Sequence, residues 1–156
     1  MALVPLQHAT RQQVFNALFA LLKTLPPPQG SNAWNTFTQE IRDWDAYTTV
    51  QQPVMTLARG AQNFSLKAVG TTKFHWKVAL LIYFRTDGFQ TTSTYPDEIT
   101  DPILDSIEQL FTPQMINQYF TLGGLVQNCW IDGNIYSDPG IVDGQGVILV
   151  PISIIV

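Results

Sequence analysis

Apolar and polar positions alternate most regularly over the last third of the chain. Between Thr121 and Val156, Leu125, Gln127, Cys129, Ile131 and Gly133 take turns with Val126, Asn128, Trp130, Asp132 and Asn134, the two-residue period of a pleated strand. A return run, Val147 to Val156, is almost wholly apolar and rich in branched side chains, as suits a strand in a sheet covered on at least one face. Between the two runs, Ser137-Asp138-Pro139-Gly140 and Asp143-Gly144-Gln145-Gly146 are turn sequences, glycine supplying positive φ and proline a preset φ. The pattern predicts a long hairpin with an elaborate tip.

Earlier in the chain the period lengthens. Val14, Ala17, Leu18, Leu21, Leu22 and Leu25 recur at helical spacing, and Phe15 and Phe19 widen the stripe. Thr10-Arg11-Gln12-Gln13 supplies a capping box at the start of this helix. Pro26-Pro27-Pro28 ends it, because proline has no amide hydrogen to donate. Trp34 to Trp44 fits a helix through Phe37, Ile41 and Trp44, and one face of a strand through Asn35, Phe37, Gln39 and Ile41; we read it as a strand. Gln52-Pro53 precedes a strand, since proline is tolerated at a strand's beginning or edge.

Gly60 to Thr72, with Gly60, Asn63, Ser65, Gly70, Thr71 and Thr72, reads as a long exposed hairpin connection, a kind of segment that in a compact domain is functional or mobile. Phe74 to Arg85 follows as a central strand, its Val78–Phe84 run apolar on both faces. Asp101 as N-cap and Pro102 in the first helical position then open a second amphipathic helix, carried by Ile103, Leu104, Ile107, Leu110 and Phe111 and closed by Pro113. The order lacks strand-helix-strand alternation. It predicts an α+β fold, an antiparallel sheet with both helices packed on one face in the order α-β-β-α-β-β, as one domain over residues 1–156.

Composition narrows the function. At 156 residues the chain can bury roughly 70% of its unfolded surface without disulfides or metals. Only 13% of residues are charged against 46% hydrophobic, about half the usual charged share. A surface so poor in charge points to contact with other subunits. The net charge of -4 and the scattering of the eight basic residues argue against a surface that grips nucleic acid, which needs clustered Lys and Arg. Cys129 is the single cysteine, so no internal disulfide forms, and at mid-strand it reads as a small buried hydrophobe. The N-terminus lacks a basic, apolar leader, and no stretch reaches the about 20 apolar residues of a membrane span. The expectation is a soluble protein made in a cytoplasm, without a membrane partner.

Candidate chemistry is sparse. His8 and His75 lie in unrelated elements and read as surface residues, with no ligand spacing for zinc. Asp132, Asp138 and Asp143 gather near the hairpin tip but lack the spacing of a calcium loop, and Asp-Gly and Asp-Pro are ordinary turn chemistry. Asp97, Glu98, Asp101 and Asp105 are explained by capping and the helix macrodipole. Neither a nucleophile elbow nor a phosphate-cradling glycine loop occurs. No catalytic residue, cofactor or metal is expected, so the chain is read as a non-enzyme. The four tryptophans read mostly as core, with a minority as anchors of subunit contacts.

Thr121-Leu122-Gly123-Gly124-Leu125-Val126, Trp130-Ile131-Asp132-Gly133, Asp143-Gly144-Gln145-Gly146-Val147 and Val150-Pro151-Ile152, in this order and spacing, resemble the C-terminal half of the tail terminator (tail completion) proteins of long-tailed bacteriophages. Gln52-Pro53 before a strand, and an opening helix followed by a sheet, are similar too. The resemblance implies a structural virion protein: a homo-oligomeric ring, usually a hexamer, that caps the tail tube, ends its polymerisation and offers a surface to the head. Its implied partners are copies of itself, the tail tube protein, and a neck or head-completion protein. The implied location is the head-proximal end of the tail, after assembly in the host cytoplasm.

DNA would pass through the channel without specific binding, since acidic walls repel phosphate. Candidate contacts are Arg59, Gln62, Phe64, Lys67 and Lys73 in and beside the Gly60–Thr72 stretch, and Asp138, Asp143 and Gln145 at the hairpin tip. The alternatives are another neck component, such as a head-completion or head-to-tail joining protein, and a small-ligand or enzymatic module.

Overall fold

Thr10 opens the first helix, α1 (Arg11–Leu22), with a complete capping box. The Gln13 amide donates to the Thr10 hydroxyl at 3.2 Å, and the Thr10 amide donates to the Gln13 side chain at 2.8 Å. Val14, Phe15, Leu18, Phe19 and Leu22 are all buried, so the apolar stripe faces the protein interior. The computed structural model describes residues 8–29, 31–68, 71–86, 96–112, 119–140 and 143–156, with the backbone alone at 64–68, 71–73, 96 and 97.

The remaining elements are β1 (Thr36–Thr38), β2 (Val54–Ala68), β3 (Thr71–Arg85), α2 (Pro96–Phe111), β4 (Asn128–Ile131), β5 (Tyr136–Asp138) and β6 (Gln145–Ile155), with short 3-10 turns at Trp44–Ala46 and Thr49–Gln51. The fold is α+β, with one mixed sheet of six strands. Its order is β1-β2-β3-β6-β4, and β5 pairs with β6 farther along the same edge. β3 is central, as its two apolar faces predict.

Strand parity sorts the core. Trp76, Val78, Leu80, Ile82 and Phe84 of β3, and Ile148, Val150, Ile152 and Ile154 of β6, join Met55 and Leu57 of β2 in one buried cluster. The buried residues of α1 and Ile99, Ile103, Ile107 and Phe111 of α2 belong to that same cluster. Alternate residues on the opposite face build a smaller one, in which Leu81 and Val147 pack on Tyr47, Val54 and Tyr83.

Five expectations change. The sheet is mixed because β1 runs parallel to β2, Thr36 opposite Val54, and residues 39–53 provide the long return that a parallel pair requires. Only Thr36–Thr38 of the Trp34–Trp44 stretch is strand, and Trp44 begins a 3-10 turn.

Most of Gly60–Thr72 is strand and not a connection: β2 runs on to Ala68 and β3 starts at Thr71. Its polar, glycine-containing composition resembles a loop because a hairpin beyond the core is held by backbone pairing, which sets few demands on side chains.

The helix α2 begins at Pro96, so Asp101 is not its N-cap and Pro102 lies inside it. Ile99, buried one turn before Ile103, extends the apolar stripe backwards. Pro102 sits on the exposed side, where a forgone hydrogen bond is tolerated.

Finally, the Leu125–Asn134 strand is real only at Asn128–Ile131. Ile131 pairs with Ile152 but Tyr136 with Leu149, so residues 132–135 face only 150 and 151. Gly133, at φ +121°, turns this bulge. Pro151 lies opposite it, its carbonyl accepting from the Asp132 amide at 2.9 Å. The missing proline N–H therefore points where the ladder is already interrupted.

Candidate functional site: an extended hairpin and an open sheet face

The β2–β3 hairpin outruns the sheet. β6 ends opposite His75, paired with Ile155, and the Val156 amide reaches Phe74 at 3.0 Å. The strands remain paired beyond this point, from Phe64 opposite Phe74 to Ala68 opposite Thr71. A two-stranded arm therefore projects past the body. On its other side, β2 is covered by β1 only at Val54–Thr56.

The base of the arm is pinned by residues named from the sequence. Between Arg59, opposite Val78, and Gln62, opposite Trp76, β2 bulges by one residue. An added Cβ at Gly60 would stand 3.0 Å from the Lys77 carbonyl oxygen. The bulge resets the alternation, so Arg59 and Gln62 both reach α1. Arg59 lies 4.3 Å over the Phe15 ring, and Arg11 donates to Gln62 at 2.8 Å while lying 5.2 Å over the Trp76 ring. Such cation–π contacts contribute about 0.5–1 kcal/mol each at exposed sites. Arg59 and Gln62 thus attach the helix to the arm within one subunit. The side chains of Phe64, Lys67 and Lys73 lie outside the described residues.

The second group of candidates forms turns. Asp138 accepts from the Gly140 amide at 2.9 Å, and Asp143 from the Gln145 amide at 3.0 Å. The Gly144 amide donates to Gly140 at 2.9 Å, and the Thr86 amide to Gly144 at 2.8 Å. Both carboxylates remain exposed. Gln145 is 3% exposed and its amide is bonded internally, so its side chain is a structural member of the subunit instead of a surface contact.

Sequence reasoning missed a polar cluster on the face opposite the main core. Buried Ser153 donates to Asp132 at 2.7 Å, and its backbone pairs with Lys77 on one side and Trp130 on the other. The His75 and Trp130 rings stack at 5.8 Å. The Ser153 hydroxyl, helped by the charge of Lys77, holds the Asp132 carboxyl below its ordinary range. His8 and His75 are half-buried against aromatic rings, His8 being 4.9 Å from Phe74. They are not free surface residues, and His75 Nε2 is buried without a hydrogen-bond partner. The sequence signal was parity: His75, Lys77, Trp130 and Ser153 all fall on the strand face opposite the apolar one.

Along the same sheet face Ala79, Leu149, Pro151 and Ile155 are half-buried and not sealed. Tyr136, opposite Leu149, is 60% exposed.

Cys129 is fully buried, and burial pushes its thiol up to about 12. Among the described residues no group of three His, Cys, Asp or Glu is placed to hold a metal ion. Asp132 bonds Ser153, whereas Asp138 and Asp143 cap separate turns. A shallow cleft of about 560 Å³ lies by His8, Gln13, Gln127 and Val156. Of the tryptophans, Trp76 is core, Trp34 donates to the Leu25 carbonyl at 2.7 Å, and Trp44 is 43% exposed. No helix among the described residues is long and apolar enough to cross a membrane. No protein-family model and no curated protein matches the chain.

Proposed function

We propose that this protein is a structural ring subunit that caps a bacteriophage tail tube, stopping tube growth and presenting a surface to the head. The observation that carries the reading is the hairpin arm. A two-stranded projection extends past the end of β6, and in this reading it reaches a neighbour. The partly open apolar sheet face supports the same reading, because half-buried aliphatic side chains flanked by exposed Tyr136 and half-buried Trp130 are the composition of subunit contacts. In this reading both helices cover one sheet face and leave the other to assembly. Copies then join head to tail, a heterologous contact that closes into a ring when its rotation permits.

Capping follows from asymmetry. One ring face matches the tube end, and the other lacks the surface that the next tube ring pairs with. The low positive charge suits a channel through which DNA slides without being held.

The test uses polymerising tube protein. Adding the purified chain should limit tube length and leave a collar at one end in electron micrographs. A variant replaces Ser65–Lys73 by Asn-Gly, a two-residue hairpin turn closing Phe64 on Phe74. It should fold normally, because β6 does not pair with the removed residues, but should not cap. Tubes that grow past wild-type protein unchecked sink the proposal.

A further inference from the structure

The helical side of the molecule carries a groove that no element among the described residues fills. Two clefts meet at Phe120. One, of about 520 Å³, runs past Leu25, Ser106, Gln109 and Leu110; the other, of about 250 Å³, past Ala17, Leu21 and Leu122. Leu21, Leu110 and Phe120 remain half-exposed there.

The rim beside this groove is acidic. Glu98, Asp101, Asp105 and Glu108 are exposed on α2 and lie three or four residues apart, hence along one side of the helix. Asp105 and Glu108 stand one turn before Gln109 and Thr112, which line the groove. The α2 sequence contains no Lys or Arg. Among the described residues none of these four carboxylates has an ion-pair partner, the one salt bridge joining Arg42 to Glu40.

An acidic helix face alone is ordinary solvated surface, and the complement on the same chain is what gives this one a partner. From Phe64 to Phe74 the arm carries Lys67 and Lys73, with no Asp or Glu and with Phe64 and Leu66 beside them. One projecting element is thus basic and partly apolar, while one groove is apolar with an acidic rim. Surfaces matched in this way orient an encounter and fix its register.

We propose that the groove between α1 and α2 of one copy receives the β2–β3 arm of the next. Its apolar wall takes the arm's apolar residues, and Asp101, Asp105 and Glu108 take its lysines. The assignment rests on the ring reading and names the surface that each copy offers to its neighbour.

Charge reversal separates the two halves of the contact. Sedimentation of the purified full chain at low salt should show self-association, weakened at least tenfold by 1 M NaCl, where the Debye length is about 3 Å. Asp105→Lys with Glu108→Lys disables only the groove, and Lys67→Glu with Lys73→Glu only the arm. Each double variant alone should stay monomeric with an unchanged melting temperature. Mixed together, they should associate again at low salt, since the intact groove meets the intact arm and the reversed groove meets the reversed arm with the signs exchanged. Reversal variants that associate like wild type would overturn the groove-to-arm contact while leaving a ring possible. A wild type that stays monomeric both free and at tube ends, with no association in the mixture, would overturn the ring reading as well.

Discussion

Gln52 and Gln145, 93 residues apart in sequence, exchange both side-chain amide hydrogen bonds, at 3.1 and 3.0 Å. Both are buried, at 6% and 3% exposure. The second hydrogen of the Gln145 amide is shared between the carbonyls of Phe84 and Gly146, at 3.2 and 3.1 Å. The pair ties the entry to β2 to the start of β6, across β3.

Replacing either glutamine by leucine leaves the other amide buried and short of partners, at a cost of about 2 kcal/mol. The double replacement Gln52→Leu, Gln145→Leu should lose less than the sum of the two, with a coupling of about 1–3 kcal/mol. Urea unfolding of the four proteins measures this. Strict additivity would mean that the amides act independently.

Gly146 pairs across the strands with Phe84. A methyl group there would fall 2.3 Å from the edge of the Phe84 ring, and that ring, 1% exposed, has nowhere to retreat. Gly146→Ala should destabilise by about 1–3 kcal/mol through overpacking. Adding Phe84→Leu to it should recover part of the loss in thermal unfolding. A glycine needed only for backbone freedom would show no such recovery.

Asp132 reports on the open sheet face. Its carboxyl is held below the ordinary 3.8 chiefly by the Ser153 hydroxyl. A depressed folded value contributes stability at pH above the unfolded value, and that contribution disappears as pH falls through the folded one. Because Asp132 is solvent-exposed, screening keeps the effect under about 1 kcal/mol. Ser153→Ala should raise the Asp132 titration midpoint toward 3.8, as read by carboxyl-carbon NMR. An unmoved midpoint would rule out the hydroxyl as the cause.

Cys129 behaves in the opposite sense. Its thiol, raised by burial from 9.0 to about 12, favours the folded state while protonated. Stability is therefore complete below pH 9.0 and falls as pH climbs toward about 12. Native protein should resist thiol reagents at pH 8 and react once unfolded. Cys129→Ala should flatten the alkaline loss that remains after the tyrosines are accounted for, and rapid labelling of native protein would contradict this burial.

Legibility in the sequence followed periodicity and failed where backbone alone decides. The stripe of α1 and the central place of β3 are visible because Val14, Leu18, Leu22 and the Val78–Phe84 run must meet an apolar interior. The arm was hidden, since backbone pairing carries β2 and β3 past the end of β6 through residues with a loop's composition. The bulge at 132–135 was hidden too, because Trp130 and Asp132 hold their alternation up to the residue where Gly133 breaks it. Asp138 and Asp143 were legible as turn formers and become structural caps. Gln145 was misplaced because a buried amide differs from an exposed one only by its distant partner Gln52.

The central strand also implies a timetable. β3 meets β2 through a tight connection, whereas its other neighbour, β6, arrives from the far end of the chain after α2. Closing the nearer contact costs little chain entropy, and closing the distant one costs more. Nascent β2 and β3 are thus expected to zip together while β6 is still unplaced, which pulse-labelled hydrogen exchange would detect as early protection at Thr56 and Leu81, paired between β2 and β3, and late protection at Leu80 and Val150, paired between β3 and β6. A newly made chain would then expose the β3 edge that β6 later covers, making the interval before β6 docks its period of greatest danger from aggregation.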